Sequence, residues 1–262
     1  MAIKPVDALV EPFQILQKDF GYYLLRTLAA LGIIMLGAFI FGIIAGASLI
    51  SALTAAGITE TNITQDNISE LLPILQGMIG IGIMLGILLI VLSIVIYSVI
   101  LGLLRDFIAS MLEGKKQYRL FFNLWLSITY IFAWMILMIP IFLISLLLLP
   151  LGVPGLLLVS PLVFAYVIFL FQFQILSSIV SYQNVNGLKA IGTNWNILKN
   201  QRWSIIGAVF LLILVAIPIV IIQLLLDMIP LIGGLLSLSI SIFVAMYSYL
   251  WLANLYRQAI GK

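Results

Sequence analysis

Six long apolar runs alternate with short polar gaps along this chain, and the gaps are of two kinds. The runs cover Leu24–Ile50, Ile74–Leu101, Leu124–Leu149, Leu156–Val180, Ser204–Leu226 and Leu235–Tyr256. Each exceeds the ~20 residues that a helix needs to cross a hydrocarbon core of about 30 Å. The pattern therefore predicts an all-α integral membrane protein with six transmembrane helices, the longer ones tilted or projecting beyond the bilayer. The third and fourth runs are parted by Pro150, Gly152, Pro154 and Gly155, a Pro/Gly density that predicts a turn rather than one continuous helix.

Charge then gives the six helices a direction. Every Lys and Arg falls in alternate gaps, at the run ends bordering them, or at the chain ends. The intervening gaps carry Glu60, Asp66, Glu70 and Asp227 and no basic residue. Basic residues collect on the cytoplasmic side, so the partition predicts a multi-pass protein of the cell membrane with both termini in the cytoplasm. The same rule accounts for the net charge of +3 and the pI near 9.1. The basic residues flank apolar runs and do not form a patch with interleaved aromatics, which excludes a nucleic-acid partner. The first outer loop, about Ser51 to Leu72, is polar and acidic. It holds two Asn-x-Ser/Thr patterns, so Asn62 and Asn67 would be glycosylation acceptors if that side has the machinery.

Composition narrows the chemistry. With 64% apolar and 8% charged residues over 262 positions, the chain departs from soluble domains, where about a quarter of residues are charged. The spans leave no room for a soluble domain, so residues 1–262 read as one membrane domain. The first apolar run is too long for a signal peptide, and the segment before it is read as mature protein. There is no Cys and no His, which removes thiol chemistry, disulfides, the commonest zinc ligand and the usual neutral-pH base. No catalytic set, cofactor or metal site is expected.

Three local patterns of aromatic, amide and aliphatic recur before odd-numbered spans: Phe13-Gln14-Ile15, Phe122-Asn123-Leu124 and Trp195-Asn196-Ile197. Spans three and five each contain Ile-Pro-Ile, around Pro140 and Pro218, and each outer turn enters the next span through Pro and an aliphatic residue. These matches predict three pseudo-repeats, about 5–108, 113–183 and 186–258, each an inner amphipathic segment followed by a helical hairpin. In the first segment Val6, Leu9, Phe13, Leu16 and Phe20 share a face, with Pro12 starting or kinking the helix. In the third, Leu188, Ile191, Trp195 and Leu198 do so. Such helices lie in the headgroup plane, where they anchor the bundle or offer a docking surface to a cytoplasmic protein.

The stretch from Gly187 through Lys189, Asn194 and Trp195 to Asn200, followed by Trp203 and a Gly207-bearing apolar run, resembles a known membrane family. It is similar to the prokaryotic six-span domain found fused to glycerophosphoryl diester phosphodiesterases and also as stand-alone proteins. The family's inner segment reads Ala-Leu-Lys-x-Ser-Trp-x-Leu-x-Lys; here Gly187 stands for Ala and Asn194 for Ser. The repeat plan and the terminal Leu255-Tyr256-Arg257 also fit. The likeness covers the architecture of the whole chain but about twenty residues in motif. Because no phosphodiesterase domain is present, it carries no enzyme activity across.

Ionisable residues within spans would be the default functional pointer. Arg26, Arg105 and Arg257 stand at inner span ends, where snorkelling suffices, and Arg105 can pair locally with Asp106. Asp227 reads as a solvated turn carboxylate. Neutral polar residues gather in the inner halves of the even-numbered spans. Tyr97, Gln174 and Asn254 each follow by 24 residues the Pro that opens their helix. They either hydrogen-bond helices together or line a polar pocket at the inner leaflet; Gln172, about 200° from Gln174 on a helix, would not share it. Gly42 and Gly46, and Gly82 and Gly86, form small-xxx-small pairs that predict close packing of spans one and two. The leading expectation is a non-catalytic membrane module that binds membrane lipids or a cytoplasmic partner protein, of undetermined oligomeric state. The alternative is a permease subunit that moves a small amphiphile with an ATPase partner. A lipid enzyme is the weakest reading.

Overall fold

The computed structural model describes residues 3–55, 68–119, 121–148, 152–229 and 232–261. Its elements are all helices: α1 (Pro5–Lys18), α2 (Phe20–Ala55), α3 (Ile68–Glu113), α4 (Leu124–Leu148), α5 (Gly152–Phe171), α6 (Leu176–Gln183), α7 (Gly187–Ile197), α8 (Arg202–Asp227) and α9 (Ile232–Ala259). Six stretches are long and apolar enough to cross a membrane: Phe20–Ser48, Ile79–Glu113, Leu124–Ile144, Ser160–Gln183, Arg202–Asp227 and Gly233–Ala259. The chain is a multi-pass membrane protein, with spans at the expected places. The expected glycosylation acceptors Asn62 and Asn67 lie outside the described residues.

The chain forms two compact units, residues 31–97 and residues 1–30 with 98–262. In the larger unit the core gathers where the even-numbered spans approach their charged ends. Leu101, Leu103, Leu104, Phe107 and Ile108 of α3 are buried, as are Ile175, Leu176, Ile179 and Val180 around the start of α6 and Met246, Leu250, Ala253 and Leu255 of α9. The opposite halves of α4, α8 and α9 expose large apolar side chains such as Met135, Phe142, Leu224 and Leu238. In lipid this exposure costs nothing, since the surrounding chains are as apolar as Leu.

Three local features stand out, and the second and third depart from the sequence expectation. α3 has 46 residues, about 69 Å at 1.5 Å per residue, so it overshoots the hydrocarbon core; its buried stretch from Ser98 onward is wrapped by protein rather than lipid. Span four is broken. Between α5 and α6 the bonds Phe173 N–H to Leu170 C=O and Leu176 N–H to Phe173 C=O, both 2.9 Å, follow a tight i→i+3 pattern. The middle inner segment is not a helix. After Gly114 in the left-handed conformation, φ 64°, the described residues from Lys115 to Asn123 are non-helical. That segment's Lys-Lys-Gln-Tyr-Arg run lacks the apolar period an amphipathic helix needs.

Candidate functional site

Three polar clusters gather at the charged end of the larger unit. In the first, Arg26 of α2 is 4% exposed and forms an ion pair with Asp106 of α3, which is fully buried. Arg26 also donates to the Arg119 carbonyl at 2.6 Å and lies 5.8 Å from the Tyr118 ring centroid. Tyr22 donates its hydroxyl to the Gln117 carbonyl at 2.9 Å. Ser98 donates to the Phe122 carbonyl at 2.8 Å and accepts from its N–H at 3.1 Å. A non-helical segment thus has its backbone groups satisfied by side chains of α2 and α3. Lys116 pairs with Asp19 at 2.5 Å; that hydrogen bond raises the Lys116 ammonium above its ordinary pKa. The expected Arg105–Asp106 pair is replaced. Successive residues of a helix diverge by about 100°, so Asp106 turns to Arg26 while Arg105 lies over the Phe122 ring at 5.9 Å. Arg26 is therefore not a snorkelling residue.

In the second cluster α1 packs along α8 and α9. Arg257 pairs with Glu11 at 2.6 Å, Gln258 donates to the same carboxylate at 2.9 Å, and Tyr247 donates to the Leu9 carbonyl at 2.6 Å. Burial pushes the Glu11 carboxyl up, but the Gln258 hydrogen bond, the neighbouring Asn254 amide and the Arg257 charge outweigh it and leave it below its ordinary value. The buried face of α1 is Ala8, Pro12 and Leu16, while Val6 and Phe13 are exposed. The expected apolar face is thus split, because Glu11 has to reach Arg257. Pro12 lies inside the helix and Pro5 opens it.

The third cluster holds α7 on the bundle. Asn184 ends α6 in the left-handed conformation, and Asn186 caps α7 by accepting from the Lys189 N–H at 2.7 Å. The Gly187 N–H donates to Thr129 of α4 at 3.0 Å. A Cβ on Gly187 would stand 2.1 Å from the Thr129 carbonyl oxygen, so only glycine fits. Asn194, 1% exposed, donates to the Gln172 carbonyl at 3.0 Å, in the break of span four. The packing face of α7 is thus Gly187, Ala190 and Asn194, continued by buried Leu198. Leu188 and Trp195, seven residues apart and on one face, are 55% and 42% exposed. Leu198 accordingly leaves the face that the helical spacing shared among Leu188, Ile191, Trp195 and Leu198.

Of the sequence-derived candidates, Tyr97 belongs to the unit of residues 31–97 and is partly exposed; Gln174 and Asn254 belong to the other. Gln174 sits in the break of span four, not on a regular helix, and is half-buried. Asn254 is fully buried beside Glu11, and its two polar atoms make no hydrogen bond of ordinary geometry with a described residue. No hydrogen bond joins it to Gln174. Gln172, by contrast, is buried and lends its carbonyl to Asn194. A Cβ at Gly42, Gly46, Gly82 or Gly86 would meet no described atom within 4 Å. In that unit the tight approach is at Gly37, whose Cβ would lie 3.1 Å from Leu92 Cδ1. Asp227 is exposed at the far end of α8, as a turn carboxylate should be.

The sequence reading missed the Arg26–Asp106 pair. Its available signal was a base at the start of the first apolar run and an acid just past the end of the second, two positions that an up-and-down pair of helices brings to one end. It also passed over one basic cluster. Arg202 lies with its guanidinium 3.4 Å from the Trp195 ring centroid. No family model, curated protein or solved structure matches the chain, so its residues and their geometry carry the functional argument.

Proposed function

We propose that this protein is a non-catalytic module of the cell membrane, with both termini in the cytoplasm, that binds anionic membrane lipid or an acidic partner at its cytoplasmic end. One observation carries this. Asp7, Glu11, Asp19, Asp106 and Glu113 are each tied up in an ion pair, with Lys4, Arg257, Lys116, Arg26 and Lys115. Lys18, Arg105, Arg119, Lys189, Lys199 and Arg202 make no ion pair with a described residue. The charged end keeps a positive surplus while its carboxylates hold helices and the middle segment in place. Groups so committed are poorly placed for acid–base work, whereas a positive end attracts anionic lipid at about 1 kcal/mol per basic residue near the surface. The resemblance to the six-span domain accompanying phosphodiesterases agrees with an accessory role.

The test is purification of the full chain in mild detergent, followed by mass spectrometry of everything retained. Anionic phospholipid or an acidic protein is expected. Stoichiometric recovery of an ATPase would favour the permease reading, and turnover of a phospholipid by the pure chain would overturn the non-catalytic one.

A further inference from the structure

The apolar recess and the basic cluster of the larger unit adjoin each other. A recess of about 420 Å³ is lined by Ile144, Leu162, Ala165, Tyr166 and Phe169. Its lining is wholly hydrocarbon and aromatic in character, since the Tyr166 hydroxyl is spent on the Leu137 carbonyl at 2.6 Å. The Phe169 ring belongs to this lining and lies 6.4 Å, centroid to centroid, from the Trp195 ring. Arg202 rests on that same indole at 3.4 Å. Lys199, exposed in the turn three residues before Arg202, adds a second cation. From Gln183 to Leu226 the sequence holds no Asp or Glu, so nothing on these elements neutralises the two. Trp203, beside them, is 81% exposed, as interfacial tryptophans are.

We infer that this continuous surface is a binding site for one anionic phospholipid, its acyl chain in the α4–α5 recess and its headgroup phosphate on Arg202 and Lys199. The chemistry at each end is fixed by what lies there. A recess without a polar side-chain atom to spare suits hydrocarbon and rejects a headgroup. A guanidinium 3.4 Å from an indole centroid is held there by cation–π attraction, and its terminal N–H groups match phosphate oxygens in kind. Arg202 Nε is covered and makes no hydrogen bond with a described residue, so its binding edge is the terminal nitrogens. The inference rests on the lipid-binding reading given above and deepens it. It does not depend on which side of the membrane the charged end occupies.

Titration of the full chain in nonionic micelles with dioleoyl phosphatidylglycerol or dioleoyl phosphatidylcholine, read by native mass spectrometry, tests this directly. Phosphatidylglycerol should be retained more tightly. Lys199→Gln and Arg202→Gln should each weaken it about fivefold while leaving phosphatidylcholine unchanged. Ala165→Phe, which fills the recess without altering charge, should weaken both lipids. Lys18→Gln, an equal charge change elsewhere, should do little. Lys199 is exposed in a turn, so its variant keeps the test valid if Arg202→Gln fails to fold. Equal retention of the two lipids, or equal loss in Lys18→Gln and Lys199→Gln, would overturn the site. Displacement of the lipid by millimolar inorganic phosphate would mean that a soluble anion is the ligand, which also defeats it. Reporter fusions that placed the charged end outside would count against the cytoplasmic assignment and leave this binding result untouched.

Discussion

Arg26 stands near the start of the first span, where a lone guanidinium would reach for phosphate headgroups. Instead it is buried against Asp106 and the Arg119 carbonyl. The pair brings together α2, α3 and the non-helical segment that follows α3. A buried pair is costly to form, and breaking it is costlier still, because the surviving charge is left without a partner. Asp106→Asn and Arg26→Gln should each destabilise the protein by about 3–5 kcal/mol. The double variant Arg26→Met with Asp106→Leu should lose markedly less, since it leaves no orphan charge. Urea or thermal unfolding in detergent would separate these cases. Losses in the double variant equal to the sum of the singles would show that the two residues act apart and that the contact carries no coupling. The sequence held both residues in plain view. Their pairing was illegible because it joins positions 80 residues apart, and local spacing favoured Arg105, the neighbour in sequence.

At the scale of elements, α7 shows why a helix was readable in the sequence and its packing face was not. Hydrophobic spacing locates a helix and an apolar face, and the described helix does cover Gly187–Ile197. In a soluble protein that apolar face would be buried. Next to a membrane the large residues Leu188 and Trp195 turn outward, and the small and amide residues Gly187, Ala190 and Asn194 pack inward. Close approach needs small residues at such contacts. The same inversion moves Glu11 of α1 to the packed side. The middle inner segment matched its fellows in three residues only, too few to fix a helix. Gly187→Ala would set a Cβ 2.1 Å from the Thr129 carbonyl oxygen, forcing α7 away from α4 and stretching the Asn194–Gln172 bond. A loss of about 1–3 kcal/mol is expected for such overpacking, with faster hydrogen exchange in α7. Gly192→Ala is the control: its Cβ meets no described atom within 4 Å, and replacing glycine by alanine in a helix is favourable by itself. Equal behaviour of the two variants in thermal unfolding and exchange would refute the close docking of α7.

For the whole molecule, side-chain contacts add an argument about sidedness that charge counting alone lacked. Glu11 meets Arg257, and the Lys4 N–H meets Gln258 at 3.3 Å, so the first helix and the end of the last span lie at one end. Lys116 meets Asp19, which brings the first basic gap to that end too. The second basic gap follows by chain alternation, because α7 is fastened to α4 just after the start of span three. Both basic gaps and the ends of the first and last spans that border the chain ends therefore share a side, whichever side that is. Which side then depends on the charges. Each Lys or Arg placed in a short loop biases insertion, and an inverted molecule would have to carry every basic gap across the bilayer together. Reporter fusions at Lys116, Lys199 and Lys262 should read cytoplasmic and a fusion at Thr64 external. A mixed result, with Lys116 and Lys199 on opposite sides, would contradict the contacts as well as the charge rule. A uniformly inverted result would leave the fold standing and remove only the cytoplasmic assignment, since no contact described above distinguishes the two faces of a membrane.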